Sequence, residues 1–249
     1  MRIAYLDPVN ENYKFEGIVD VLKKYINKGT EIDFKFLERG AGNLEYQCYE
    51  AYTVPELIYE VKKLKAEKYD AVIIGCFFDP GIDAIREFID DMVIVGPGES
   101  SMLLGRYLGN KFSIIAGRKK HLARMYEVVD RVGLSSKLSS IRTLDIRVDD
   151  MQKDHEFLLK RTSDEISKAI SEDNAEVIIL GCTMEAGQFE KLQKTFNVPV
   201  IDPSVAALKT AEYLVSCKNM CGWDISRALS YETPDIFEMK TYNIFDKLL

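Results

Sequence analysis

Two cysteines carry the chemistry this chain can offer. Asp70-Ala-Val-Ile-Ile-Gly-Cys76 reappears as Glu176-Val-Ile-Ile-Leu-Gly-Cys182, and 182 − 76 gives an offset of 106. At that offset Asp79 matches Glu185, Gly81 matches Gly187 and Pro97 matches Pro203, with no gap. Each cysteine ends an apolar run and precedes a turn and a helical segment. One buried cysteine is ordinarily a packing residue. The same thiol at matched positions of a repeated unit argues for chemistry. Free N–H groups and the dipole at a helix start favour an anion, so each thiol pKa is expected to fall from roughly 8.5 toward neutrality. The same groups suit a developing oxyanion.

Several chemistries compete for such a pair. A papain-type nucleophile needs a histidine base. Both histidines, His121 and His155, fall on segments predicted to be helical and read as surface or packing residues. The adjacent Cys-x-x-Cys redox form is absent, although two facing thiols can form a disulfide. No Walker loop occurs, no GxGxxG follows the first strand, and Gly96-Pro97-Gly98-Glu99 has proline where a phosphate loop offers an N–H. Five cysteines (48, 76, 182, 217, 221) show no disulfide-framework spacing, and with two histidines they leave a structural zinc short of ligands. Proton exchange beside a carbonyl needs neither metal nor cofactor. One thiolate removes the proton, N–H donors hold the enolate, and the opposite thiol reprotonates the other face. Inversion requires such a base on each face.

To face each other, both cysteines must lie at strand ends across a cleft. Strand-like runs occur at 2–6, 32–37, 71–76, 92–95, 112–116, 177–182 and 198–201, with a weaker one at 140–147. Helix-like segments fill 14–28, 54–67, 81–89, 99–109, 119–132, 154–172, 186–196 and 204–216. In 54–67, Val54, Leu57, Ile58, Val61 and Leu64 keep helical spacing. The alternation predicts an α/β fold of βαβ units with mostly parallel sheets, which bind ligands at the carboxyl ends of their strands. At 249 residues and 47% hydrophobic content, one large core or two smaller domains are within reach. A net charge of −7 argues against nucleic acid or an anionic membrane as partner. With no signal-peptide pattern and no run of roughly 18 apolar residues, the expected compartment is the cytoplasm.

These residues resemble the Asp/Glu/hydantoin racemase superfamily, and most its hydantoin and allantoin racemase branch. The likeness rests on Tyr69-Asp-Ala-Val-Ile-Ile-Gly-Cys-Phe-Phe-Asp-Pro-Gly-Ile-Asp-Ala-Ile-Arg-Glu87, similar to the branch's YDAVVIACF-DPGLDAARE. It continues through Val95-Gly-Pro-Gly-Glu99, Leu180-Gly-Cys-Thr183 and Val198-Pro-Val-Ile-Asp202. The resemblance implies two pseudo-symmetric α/β domains, 1–96 plus 206–249 and 97–205, with the active site between them. It further implies a cofactor-independent racemase without metal, a small hydantoin-like substrate and a homo-oligomer. Carried over by motif, Cys76 and Cys182 are the acid/base pair. Phe77, Phe78, Thr183 and Met184 supply N–H groups or walls, and Glu99 and Ser100 match a cleft-lining segment. The phenylalanines stand where amino-acid racemases carry Asn and Thr, and they suit a flat ring or apolar substituent.

Departures bear on the substrate. Asp7-Pro8-Val9-Asn10 replaces an NPNT turn, so Asp7 either accepts a hydrogen bond from a ring N–H or serves the turn. Gly40-Ala-Gly-Asn-Leu-Glu45 puts Asn43 in place of a serine. Gly117-Arg118 replaces two threonines, and Arg118 either faces the cleft or caps a helix start in solvent. Tyr231, Phe237, Tyr242 and Phe245 are candidates to cover the cleft or a subunit interface. An amino-acid racemase or a maleate-isomerase-like enzyme is the alternative, but two carboxylates need anchors beyond Arg118 and Arg39. A binding protein without turnover is a third reading, against which the retention of both thiols counts.

Overall fold

The computed structural model describes residues 1–13, 15 and 17–242. Its first sheet joins β1 (Arg2–Asn10), β2 (Glu31–Leu37), β3 (Ala71–Ile74) and β4 (Val93–Val95), all parallel, in the order β2-β1-β3-β4. The second joins β5 (Phe112–Ala116), β6 (Leu138–Thr143), β7 (Val177–Leu180) and β8 (Val200–Ile201) in the order β6-β5-β7-β8, again parallel. The two orders are the same pattern used twice. Strands β3 and β7 are wholly apolar because both faces of each sheet are covered, as parallel sheets require.

The helices are α1 (Gly17–Lys23), α2 (Gln47–Ala66), α3 (Ile82–Phe88), α4 (Pro97–Leu108), α5 (Leu122–Val132), α6 (His155–Ser171), α7 (Phe189–Phe196), α8 (Pro203–Cys221) and α9 (Ile236–Thr241). Several differ from the sequence expectation: α1 ends at Lys23 rather than 28, and α8 runs on to Cys221 rather than 216. Helix α2 begins at Gln47 rather than 54 and carries Pro55 inside it; the bond lost to Ala51 is outweighed by burial of Leu57, Ile58, Val61 and Leu64. The segment 119–132 is broken into a 3-10 turn, Lys119–His121, and α5. Helix α9 was not anticipated. Strand β6 also ends at Thr143, short of 147.

Helices α4 and α8 carry the chain between the sheets. Met102 of α4 packs with Phe112, Ile114 and Ile179 of the second sheet. Ala207, Leu208, Ala211 and Val215 of α8 pack with Ile3, Tyr5, Ile73 and Val95 of the first. The two helices also pack on each other, so they form the joint of the molecule. Pro97 and Pro203, matched in the repeat, open these helices at the first position, where the missing N–H costs nothing. Each start is capped by a buried carboxylate. Asp79 accepts from the N–H groups of Gly98 (2.8 Å) and Glu99 (2.9 Å) and pairs with Arg131 (2.9 Å). Asp202 accepts from Ser204 (3.0 Å), Val205 (3.3 Å) and Gly187 (2.7 Å). Gly98 is needed for contact, since a Cβ there would sit 2.2 Å from the Phe77 carbonyl oxygen.

After Gly222 the chain lies along the edge of the first sheet. Arg227 donates to the carbonyls of Arg86 and Ile89 at the end of α3, and Tyr231 donates to Asp83 (2.9 Å). Phe237 and Tyr242 are exposed, and Phe245 lies outside the described residues. Among the described residues no helix is long and apolar enough to cross a membrane.

Candidate active site

A cavity of about 480 Å³ opens between the carboxyl ends of the two sheets. Cys76 follows β3 and Cys182 follows β7, so each central strand delivers one thiol to it. Thr183 donates to the Gly75 carbonyl (3.3 Å), tying one motif to the other across the cleft. Phe77, Phe78, Met125, Met151 and Met184 form apolar walls, and Asp7, Asn43, Gly117 and Thr183 also line it.

The thiols are held protonated. Burial pushes Cys182 up to about 12, with Glu185 adding to the effect, and lifts Cys76 well above the ordinary thiol range. This overturns the sequence expectation of depressed values. The reason is spacing: α3 and α7 start at Ile82 and Phe189, six and seven residues past their cysteines. Tight turns intervene, with Asp79 at φ 51°, Gly81 at φ 65° and Gly187 at φ 83°. Cys182 precedes only a single 3-10 turn, Thr183–Glu185, and neither sulfur lies at the start of an α-helix. Instead a single N–H, from Phe78 or Met184, donates to each sulfur and partly offsets burial. A charge on Cys182 further raises Cys76, so ionising one thiol keeps the other protonated. Both therefore rest as neutral thiols, and ionisation of one opposes ionisation of the other.

Asp7 ends the buried part of β1. Its residue reaches the surface, but its carboxyl lies deep in the cavity, where burial raises it to about 7. It makes no side-chain hydrogen bond or ion pair among the described residues. Asn43 donates to Asp149 (3.1 Å) and accepts from the Glu45 N–H (3.2 Å).

Four sequence candidates lie away from the cavity lining. Asn10 donates to the Glu38 carbonyl (2.8 Å) and accepts from the Asn12 N–H (3.1 Å), so it serves a turn. Glu99 pairs with Arg86, and Ser100 is buried within α4. Arg118 neither lines the cavity nor stands free: it donates to the fully buried carboxylate of Glu45 (3.0 Å). Glu45 also accepts from the Val148 N–H (2.9 Å), with Arg147 at 3.8 Å. A buried carboxylate needs such partners, and together they clamp a loop of the first sheet onto the second.

Polar lining residues that the sequence reading did not single out include Glu45, His121 and Gln152. His121 was hidden by the apparent continuity of 119–132. The 3-10 turn rotates it inward, edge-on to Phe78 (85°, centroids 5.7 Å apart), where burial lowers its pKa. None of the side chains lining the cavity among the described residues is lysine or arginine.

Residues 14–211 match the sequence model of the family described as Asp/Glu/Hydantoin racemase. A hydantoin racemase from Pseudomonas sp. (strain NS671) is 32% identical over 235 residues, covering 94% of this chain and 92% of its own. The allantoin racemase from Klebsiella pneumoniae superposes with a TM-score of 0.88 at 24% identity, over 94% of both chains. That from Pseudomonas fluorescens superposes at 0.87 with 25% identity, over 94% of this chain and 97% of its own.

Proposed function

The chain belongs to the Asp/Glu/hydantoin racemase family and is an isomerase of the racemase type, and we propose that Cys76 and Cys182 are its two bases. In this reading one thiolate takes the proton from a carbon beside a carbonyl, and the opposite thiol returns a proton to the other face. Each turnover exchanges their roles, so both directions use the same pair. The observation that carries the reading is the delivery of two matched thiols, one from each sheet, to one cavity. Their mutual electrostatic opposition keeps one protonated while the other is ionised.

The substrate we propose is an uncharged, hydantoin-like ring with an apolar substituent. Phenylalanine and methionine walls favour a flat ring and its substituent, and the volume suits a small molecule. The Asp7 carboxyl, unpaired among the described residues, opposes a second carboxylate, and no cation among the described lining residues compensates for it. Aspartate, glutamate and maleate are therefore disfavoured.

Single enantiomers of 5-substituted hydantoins, allantoin, aspartate and glutamate, incubated with the protein in deuterated water, test this. Optical rotation should decay with deuterium uptake for the ring compounds only. Cys76→Ser and Cys182→Ser should each lower racemisation by roughly 10²–10⁴-fold. A serine variant that racemises at the parent rate, or no exchange with any ring compound, sinks the proposal.

A further inference from the structure

We propose that His121 and Gln152 together read one edge of the substrate, a carbonyl and the amide N–H beside it. The proposal rests on the ring-substrate reading of this cavity. Both side chains line it, and both carry a buried polar atom without a hydrogen-bond partner among the described residues: His121 Nε2 and Gln152 Oε1. Buried polar atoms are nearly always satisfied, so two orphans in one largely apolar cavity call for a ligand that satisfies both.

Their chemistry is complementary. Gln152 Nε2 donates to the Met184 carbonyl, which fixes the amide orientation and leaves Oε1 as an acceptor. Burial keeps the His121 imidazole neutral, so it carries one N–H and one lone pair. Its ring is held edge-on by Phe78. Gly117 lies between the two residues' segments: a Cβ there would sit 2.8 Å from Met151 Cε and 3.8 Å from His121 Nδ1. A donor and an acceptor lining one cavity match a C=O next to an N–H, the edge of a cyclic amide, imide or ureide. In a hydantoin ring that carbonyl is the one beside the reacting carbon, and it gains negative charge when the proton leaves. A neutral imidazole donating to it stabilises the enolate without surrendering its proton.

The test separates edge recognition from turnover. 5,5-Dimethylhydantoin has no proton on the reacting carbon, and its N3-methyl derivative lacks the edge N–H. Calorimetry should show the parent protein binding the N–H form roughly tenfold more tightly. Gln152→Leu, or Gln152→Met if the first does not fold, should bring that ratio near one. His121→Phe keeps a ring against Phe78, so a packing role predicts no loss. We expect instead about 10²-fold lower kcat on 5-benzylhydantoin with KM changed less, partly recovered in His121→Gln. Undiminished kcat in His121→Phe, or a retained N–H preference without Gln152, overturns the proposal. An N–H preference that needs Gln152, without racemisation of any hydantoin, removes the racemase reading and leaves edge recognition standing. Racemisation with no N–H preference does the reverse.

Discussion

Glu185 shares a turn with Cys182 and is fully buried. One of its oxygens accepts from Thr162 (3.3 Å), and the other has no partner among the described residues. Burial raises its pKa from 4.5 to about 8. Between these values the folded chain holds a proton that the unfolded chain has released, so stability falls as pH rises through this window. Glu185→Gln should therefore stabilise the protein by up to about 5 kcal/mol at pH 9 and hardly at all at pH 4, read from melting temperatures across that range. Ionised Glu185 also pushes the Cys182 thiol up, so the variant should gain activity at pH 9. The repeat made Glu185 legible as the counterpart of Asp79, but its difference was not. Asp79 finds Arg131 and two backbone donors, whereas Glu185 depends on Thr162 from a distant helix. The cysteines were legible because they sit inside the repeated motif. His121 and Gln152 were not, since no local pattern encodes which way a turn after a strand rotates a side chain.

The loop from Gly40 to Tyr46 is the element that closes the cavity toward the second sheet. It is held by Glu45 on Arg118 and Val148, by Asn43 on Asp149, and by Lys120 over the Tyr46 ring (3.3 Å). Arg118→Ala leaves the buried carboxylate with the Val148 N–H and the more distant Arg147. Because Arg118 is itself partly exposed, the melting temperature should fall only modestly. Steady-state kinetics should show KM rising more than kcat falls. Most strands were readable because burial on both faces makes them continuous apolar runs. The start of α2 was not, because its first turns carry exposed Tyr49 and Tyr52 and no apolar stripe. The break before α5 was masked because Leu122, Met125 and Val129 set a helical stripe directly after it.

At the scale of the molecule, α4 and α8 join two halves that each contribute one thiol. In the proposed two-base reaction, a proton taken by one half is thus separated from the proton returned by the other. Early in a reaction in deuterated water, the product enantiomer should carry deuterium while remaining substrate does not, as mass spectrometry of resolved enantiomers would show. Equal early labelling of both would mean a single base. Closure of the two halves has another consequence. Cys48 and Cys221 are exposed, whereas Cys76 and Cys182 are half-buried at the cavity between the sheets and held as thiols. Iodoacetamide at pH 7 should modify the exposed pair first, with the inner pair reacting about tenfold faster for each pH unit gained. Peroxide obeys the same rule, because it attacks the thiolate. The resting protein therefore stores its reactive sulfur in a form that air and oxidants leave alone, and its shelf life follows from the same burial that sets its proton chemistry.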